Sequence, residues 1–348
     1  METLTIKDIA RICGVGVSTV SRAINNHPDI NPETRNKVMQ VIAEHDFIPN
    51  NSARNLKRTE SKTIAVLIRG ITNPFFQDMI KTFENAIERR RYSFLLHRVD
   101  EEDDEIEIAL ELEKEKKLCG IIFLGGTIGH TEDKLRQLKS PFVLCTIGLD
   151  ECIDQQLYSS VAIDDVKAAY EMTSYLLDLG HSRIAMVAAR EDDTAIGRMR
   201  LEGFRKAFED RGLAADEDLV LYPEKGADAY SMQNGYQVVR RFLESGQEAT
   251  AFFVVSDNAA FGVCKAIRDA GKSVPEDYSV AGFDGIEMAS YYNPVLTTMR
   301  QPCREMAKEA IEILFDLIDG CSDNRHKRFL AELVEGESTC RISRDVER

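Results

Sequence analysis

The chain has 348 residues, 43% of them hydrophobic and 30% charged, with a formal net charge of −15. That is an ordinary globular mixture, long enough for two or three domains at roughly 150 residues each. No apolar run approaches the ~18 residues of a membrane span, and Met1 to Ala10 hold neither a basic nor an apolar leader stretch, so a cytoplasmic protein without membrane contact is expected.

The first fifty residues read as short helices. Ile6, Ile9, Ala10 and Cys13 recur at helical spacing behind Thr5 as N-cap. Gly14-Val15-Gly16 interrupts, and Val17 to Asn25 places Val20, Ala23 and Ile24 on one face. Asn31-Pro32-Glu33 sets an N-cap and a proline at the first helical position of a third helix ending at Glu44. Pro49 then disfavours helix at Ile48, and Asn50 to Arg58 is a polar segment with room for two turns of helix.

From Thr63 the period changes. Apolar strands are expected at 63–68, 92–96, 119–124, 142–147, 160–163, 184–188, 252–255 and 279–283, with an amphipathic helix over 75–89 after the first. Strand–helix alternation predicts parallel sheets covered by helices. Ser61-Lys-Thr-Ile64-Ala65 and His181-Ser-Arg-Ile184-Ala185 each open such a series 120 residues apart, as two similar α/β lobes would. The last eleven residues hold only Ile342 and Val346 as large aliphatics, so no heptad helix for tetramer formation is expected there.

Charge is unevenly spread. Residues 1–58 hold eight Lys/Arg against six Asp/Glu, leaving −17 on the other 290 residues. An acidic body repels phosphate, so any nucleic-acid contact belongs to the head. There, Ala10 lets two helices cross closely and Gly14 supplies the turn. The second helix then projects Val17, Ser18, Ser21 and Arg22 outward. Hydroxyls and a guanidinium are what phosphates and base edges require.

These residues carry a resemblance. Thr5-Ile-Lys-Asp8-Ile9-Ala10, Val15 with Thr19-Val20-Ser21-Arg22, Phe47-Ile48-Pro49-Asn50 and Ala53-Arg54 with Leu56 resemble the lactose/galactose repressor (LacI/GalR) family. The likeness runs on through Asn73-Pro74-Phe75-Phe76, Gly180-His181, Arg200-Leu-Glu-Gly203-Phe204, Gly282-Phe283-Asp284 and Leu296-Thr297-Thr298. It implies a helix-turn-helix head over 1–49 and a hinge helix with linker over 50–60. It also implies a two-lobed body like the periplasmic binding proteins, crossed three times by the chain. The lobes are expected at 61–163 with 296–322 and at 164–295 with 323–348. The implied operator-DNA contacts are Thr5, Val17, Ser18, Thr19, Ser21, Arg22, Asn25, Asn50, Ala53, Leu56 and Lys57, with Leu56 wedged into the minor groove. A homodimer and a small effector between the lobes are implied as well. The chain departs from the family pattern at Gly16, Ser256 and Gly336, where Ser, Asn and Arg are usual.

In the body, Phe75 follows the first strand and offers an aromatic face to the cleft. Arg200, at a helix start, and Asp284, at a strand end, are expected to face each other across the crevice where α/β sheets bind ligands. Asp257 could cap its helix or bind ligand; Asn73, Thr194 and Tyr230 follow from the resemblance alone. A ring face with charged hydrogen-bonding groups suits a sugar or sugar derivative, and would also hold a purine. Gly271-Lys272-Ser273 lacks the first glycine of a phosphate-binding loop, since position 266 is Ala. Asp100 to Glu105 opens a helix, which acidic side chains favour without any metal. His181 is expected to be structural. The eight cysteines stand singly, with no C-x-x-C pair, so neither metal nor cofactor is expected, and no catalytic motif appears. The expected function is a ligand-responsive transcriptional repressor. A solute-binding protein for sugar transport is the alternative.

Overall fold

In the computed structural model the described residues are 4–24, 27, 29–45, 47, 62–100, 103–126, 132–148 and 153–342. The chain divides into two compact units, residues 1–61 and 62–348.

The first unit holds α1 (Ile6–Cys13), α2 (Val17–Ile24) and α3 (Pro32–Glu44) around Ile9, Ala10, Cys13, Val20, Ala23 and Val38. Thr5 precedes α1 as its N-cap, and its amide and hydroxyl both donate to Asp8, at 3.0 and 2.6 Å. Those bonds hold the Asp8 carboxyl below its ordinary range. Gly14 ends α1 in the left-handed conformation that lets Val15 N–H reach Ala10 at 3.0 Å. Asn31 accepts from the Glu33 amide at 2.8 Å ahead of Pro32. Helix α1 therefore begins and ends, and α3 begins, where the capping residues dictate. The hinge segment 50–60 lies outside the described residues.

The second unit is two six-stranded sheets. The first contains β1 (Thr63–Arg69), β2 (Ser93–Val99), β3 (Gly120–Leu124), β4 (Phe142–Cys145), β5 (Ser159–Ile163) and, far along the chain, β11 (His326–Phe329). The second contains β6 (Ile184–Val187), β7 (Val220–Leu221), β8 (Ala251–Val254), β9 (Ser279–Asp284), β10 (Thr297–Arg300) and β12 (Glu332–Val334). Their orders, β11-β5-β4-β3-β1-β2 and β12-β10-β9-β8-β6-β7, coincide position for position. Ile64 and Ile184, the openings of the short repeat, occupy equivalent strands. All pairings are parallel except β10 with β12. The central strands are buried on both faces, which is why they read as unbroken apolar runs.

Helices cover both sheets: α4 (Gln77–Arg89), α5 (Glu105–Lys116), the single turn α6 (Glu132–Leu135) and α12 (Cys303–Ile318) in the first lobe. The second lobe carries α7 (Asp165–Asp178), α8 (Ile196–Glu209), α9 (Met232–Ser245), α10 (Asp257–Asp269) and α11 (Glu287–Tyr291). Asp104 caps α5 by accepting from the amides of Ile106 and Glu107. His181 is buried, bound to Thr250 Oγ1 at 2.9 Å and the Cys340 carbonyl at 3.0 Å. The segment reaching Ile342 is itself bound into the second lobe, with Ser338 Oγ donating to Val280 O at 2.6 Å and Ile342 N to Leu179 O at 3.0 Å.

Three expectations need correction. The second and third lobe crossings lie between β10 and α12 and between β11 and β12, not at 295/296 and 322/323. Thr297–Arg300 pairs in parallel with β9 and extends the second sheet before the chain leaves it, while His326–Phe329 completes the first. The helix expected from Phe75 begins at Gln77, because Pro74–Phe76 forms a 3-10 turn capped by Asn73. The strand expected to reach Ile147 ends at Cys145, where Thr146 turns out with φ +70°.

Helices α9 and α10 touch backbone to backbone through two glycines. A Cβ at Gly262 would lie 1.9 Å from the Met232 carbonyl oxygen, and one at Gly235 2.0 Å from that of Ala259. Gly262→Ala is therefore expected to force the helices apart and cost ~1–3 kcal/mol, seen as a lower denaturation midpoint. An unchanged midpoint would show that the two helices can separate freely.

Candidate functional site

The head presents α2 outward. Val17 is 42% exposed, Ser18 and Arg22 are exposed, and Thr19 and Ser21 are half-buried beside the fully buried Val20. Thr5 is exposed at the start of α1. All six are exposed or half-buried positions of α2 or of the turn before α1, on a unit of three short helices such as a helix-turn-helix requires. Asn25, Asn50, Ala53, Leu56 and Lys57 lie outside the described residues.

In the body, the carboxyl ends of both sheets converge on a cavity of about 260 Å³ between the lobes. Phe75, 6% exposed, forms part of its wall, edge-on to Phe76 at 5.2 Å. Asn73 accepts from the Phe75 amide at 3.1 Å and crosses the cleft to donate to Asp284 Oδ2 at 3.2 Å. Gln301, in the second crossing, donates to Asp284 Oδ1 at 2.9 Å. Arg200 lies 3.7 Å from that same oxygen, donates from Nε to Asp165 at 2.9 Å and from Nη1 to the Val255 carbonyl at 2.6 Å, and stacks 3.6 Å over Phe283. A second bond joins the lobes at the rim, from Thr72 Oγ1 to Asp228 Oδ2 at 3.0 Å.

Burial dominates the electrostatics. It pushes the Asp284 carboxyl up to about 6, against the opposing pull of Arg200, Asn73 and Gln301. Burial raises Asp165 as well, with Arg200 opposing. It also works against the Arg200 charge, but the two carboxylates outweigh it and hold the guanidinium protonated. Burial and then Asp193 push the Tyr230 hydroxyl up, so it stays protonated. Asp284 and Thr146 both line this cavity with φ in the left-handed region, +115° and +70°. Such backbone persists only where neighbours enforce it.

Six of the seven expected effector residues line the cavity: Asn73, Phe75, Thr194, Arg200, Tyr230 and Asp284. Asp257 does not. It is fully buried behind the wall, taking the Thr298 hydroxyl at 2.5 Å and the Ile286 amide at 2.9 Å, while Ser256 caps its helix. Its role is to fasten the loop after β9 to β10. Nor do Arg200 and Asp284 face each other across the crevice. Both belong to the second lobe, and Asn73 supplies the reach from the first. Sequence reasoning missed Thr72, Thr146, Asp165, Arg190, Asp193, Asp228 and Gln301. Several directly follow parallel strands, and that placement alone could have flagged them.

Comparison with known proteins agrees with this geometry. Residues 5–50 match the model of bacterial regulatory proteins of the lacI family, and residues 173–339 that of the periplasmic binding protein-like domain. The HTH-type transcriptional regulator MalR of Clostridium butyricum is 39% identical over 341 residues, covering 97% of this chain and all of that protein. The chain belongs to the LacI family. As a LacI-family protein it is a DNA-binding transcriptional regulator and not an enzyme, which sets aside the transport reading. Two solved transcriptional regulators share its architecture. A regulator from Enterococcus faecium with bound ribose is 29% identical, with TM-score 0.69 over 81% of this chain and 100% of that one. The CelR–cellobiose complex is 27% identical, with TM-score 0.69 over 96% and 99%. Among the described residues no helix is long and apolar enough to cross a membrane.

Asp284 gives a test with a definite sign. Its carboxyl stands near 6 in the fold against an ordinary 3.8, so ionisation opposes folding by up to about 3 kcal/mol at neutral pH. Both states are protonated well below 3.8, so this penalty grows as pH rises from 3.8 through about 6 and is fully present above it. Asp284→Asn, to which the Gln301 amide can turn its oxygen, is expected to melt above the wild type at about pH 7.5 without ligand. The gap should close toward about pH 4. A variant that melts lower at about pH 7.5 would contradict the raised value.

Proposed function

We propose that the protein is a cytoplasmic repressor that grips a pseudo-palindromic operator as a homodimer and is controlled by a sugar or sugar derivative in the interlobe cavity. The exposed face of α2, with Val17, Ser18, Ser21 and Arg22, would read the major groove, and Thr5 and Thr19 would hold phosphates. The segment 50–60 would act as the hinge, with Leu56 entering the minor groove beside Asn50, Ala53 and Lys57. Asn25 would join the contacts at the end of α2. In the body, Asn73, Phe75, Thr194, Arg200, Tyr230 and Asp284 would hold the effector.

One observation carries the control mechanism. Two hydrogen bonds that bridge the lobes, Asn73–Asp284 and Thr72–Asp228, are made by residues lining the cavity. A molecule seated there competes for or reinforces the contacts that set the lobe angle. The sugar class is supported by ring faces beside bidentate polar groups and by the ribose and cellobiose held in related regulators. A purine is the other ring that such groups accommodate, and the ligand panel should include adenine and guanine.

Arg22→Ala is expected to cost ~1–3 kcal/mol on operator DNA if the guanidinium reads a base edge, measured by footprinting titration at fixed salt. Equal losses on operator and random duplex would reassign Arg22 to phosphate. Binding should also weaken steeply with salt, as counterion release requires.

Effector and operator must also be reciprocally coupled, each changing the other's affinity by one factor. Operator DNA that left effector affinity untouched, in a protein whose DNA binding responds to effector, would violate that linkage. Asp284→Ala should lose the ligand response, and a full response at wild-type ligand concentration would place the effector elsewhere.

A further inference from the structure

The acidic net charge of the body conceals a basic end. Strands β1 to β4 run parallel with their amino ends level: Thr63 stands beside Ser93, Ile64 beside Gly120 and Ile121 beside Phe142. The segments that enter these strands therefore gather at one end of the first lobe, where the chain passes from residue 61, the last of the head unit, into the body. Arg89, Arg90 and Arg91 close α4 there, and Lys114, Lys116 and Lys117 close α5. Lys62 leads into β1 and Lys139 stands three residues ahead of β4. All eight are exposed. Among the described residues, carboxylates pair with two of them, Glu115 with Lys116 at 2.8 Å and Asp319 with Arg90 at 4.0 Å, and the other six stand without an ion pair. Glu113 is turned instead onto the amides of Lys139 and Ser140, at 3.0 and 2.6 Å.

Cations suit helix carboxyl ends on dipole grounds alone, but two observations set this end apart. The first is the backbone. Helices α7, α8, α9, α10 and α12 are each followed within three residues by a glycine of positive φ: Gly180, Gly212, Gly246, Gly271 and Gly320. Helices α4 and α5 turn off through Arg91 and Lys117 instead, at φ +62° and +51°, where glycine would spare the cost of a side chain. The second is the other lobe. Its sheet has the same strand order, yet the cations of its corresponding segments are neutralised. Arg183 lies 3.6 Å from Asp216, Arg211 2.7 Å from Asp178 and Lys272 3.3 Å from Asp277.

We propose that this end of the first lobe is a second DNA-contacting surface, which holds the phosphate backbone of the duplex that the head grips. This rests on the reading of the head as the gripping unit. The cations are spread over four segments of the chain, which suits an extended run of phosphates, and their attraction reaches about 10 Å at 0.1 M salt. The twelve residues 50–61 span at most about 43 Å, so binding by the head raises the effective concentration of phosphate at this end. Contacts to phosphate carry no sequence information. The surface therefore adds affinity on every duplex and leaves the reading of bases to α2.

The test is fluorescence anisotropy of the full chain with a labelled random-sequence duplex of about 60 base pairs, from about 50 to 200 mM salt. Arg89→Gln/Arg91→Gly/Lys117→Gly removes three cations from this end. Arg183→Gln/Arg211→Gln/Lys272→Gln removes as many from the corresponding end of the second lobe. The first triple variant should bind roughly tenfold or more weakly at low salt, and its plot of log affinity against log salt should be shallower by about 2, at ~0.9 per phosphate contact. The second triple variant should match the wild type in both. The first should also melt no lower than the wild type, because glycine suits positions 91 and 117. Lys114→Gln/Lys139→Gln touches neither of those positions and should make the slope shallower by about 1–2.

Equal weakening by the two triple variants would make the effect one of net charge alone and overturn the inference. An unchanged slope in both the first triple variant and Lys114→Gln/Lys139→Gln overturns it as well, and leaves the head as the gripping unit. So does a first triple variant that melts lower and binds less beside an unaffected Lys114→Gln/Lys139→Gln. A wild type that bound no duplex at low salt would defeat the reading of the head itself, and this inference with it.

Discussion

The body depends on one buried arrangement, the Arg200 guanidinium held between Asp165 and Asp284. Removing three charges from water is costly, and the cost is tolerable only where each keeps a partner and a hydrogen bond. Here Asp165 comes from the start of α7, Arg200 from the first turns of α8 and Asp284 from the end of β9. The group therefore fixes where one lobe's helices end relative to its sheet. Asp284 then offers its oxygens to Asn73 and Gln301, from the other lobe and the connection between them. One carboxylate is both a member of a rigid cluster and the contact by which the second lobe senses the first. Disturbing it at the cavity disturbs the lobe junction without any intermediary.

Much of this was legible in the residues. Gly14, Pro32 and the helical spacing of Ile9, Val20 and Val38 determine the head through local rules alone. The buried strands of the two sheets show as apolar runs because both faces are covered. The edges were not legible. Thr-Thr-Met-Arg at 297–300 and His-Lys-Arg-Phe at 326–329 are polar runs whose extended state is imposed by the neighbouring strand, and no local periodicity announces it.

The cavity was legible to the extent that its residues carry ring faces or charge, as Phe75, Arg200 and Asp284 do. Asp257 misled for a physical reason. A carboxylate at a helix start reads the same whether it meets a ligand or, as here, a buried threonine hydroxyl and a backbone amide. Asp193 escaped notice because its character lies in a buried Oδ2 without a hydrogen-bond partner among the described residues, a property of three-dimensional neighbours. The same holds for Thr146, whose left-handed backbone stores about 1–3 kcal/mol at the cavity wall.

The crossings between lobes carry a consequence for how the protein comes into being. Helix α12 supplies seven buried side chains, from Met306 to Phe315, and packs on the first sheet, whose Gly120 has room only for its Leu314 and Ile318. Yet α12 and β11 follow strands β6 to β10 of the second lobe in the chain. During synthesis, strands β1 to β5 emerge first and must wait for residues 165–300 to be made before their covering helix arrives. At 5–20 residues per second that delay is on the order of ten seconds. Through that interval the nascent first lobe has a bare apolar face and an open strand edge beside β5. The topology that lets two lobes share a hinge thus leaves the growing chain dependent on protection by the ribosome surface or a chaperone.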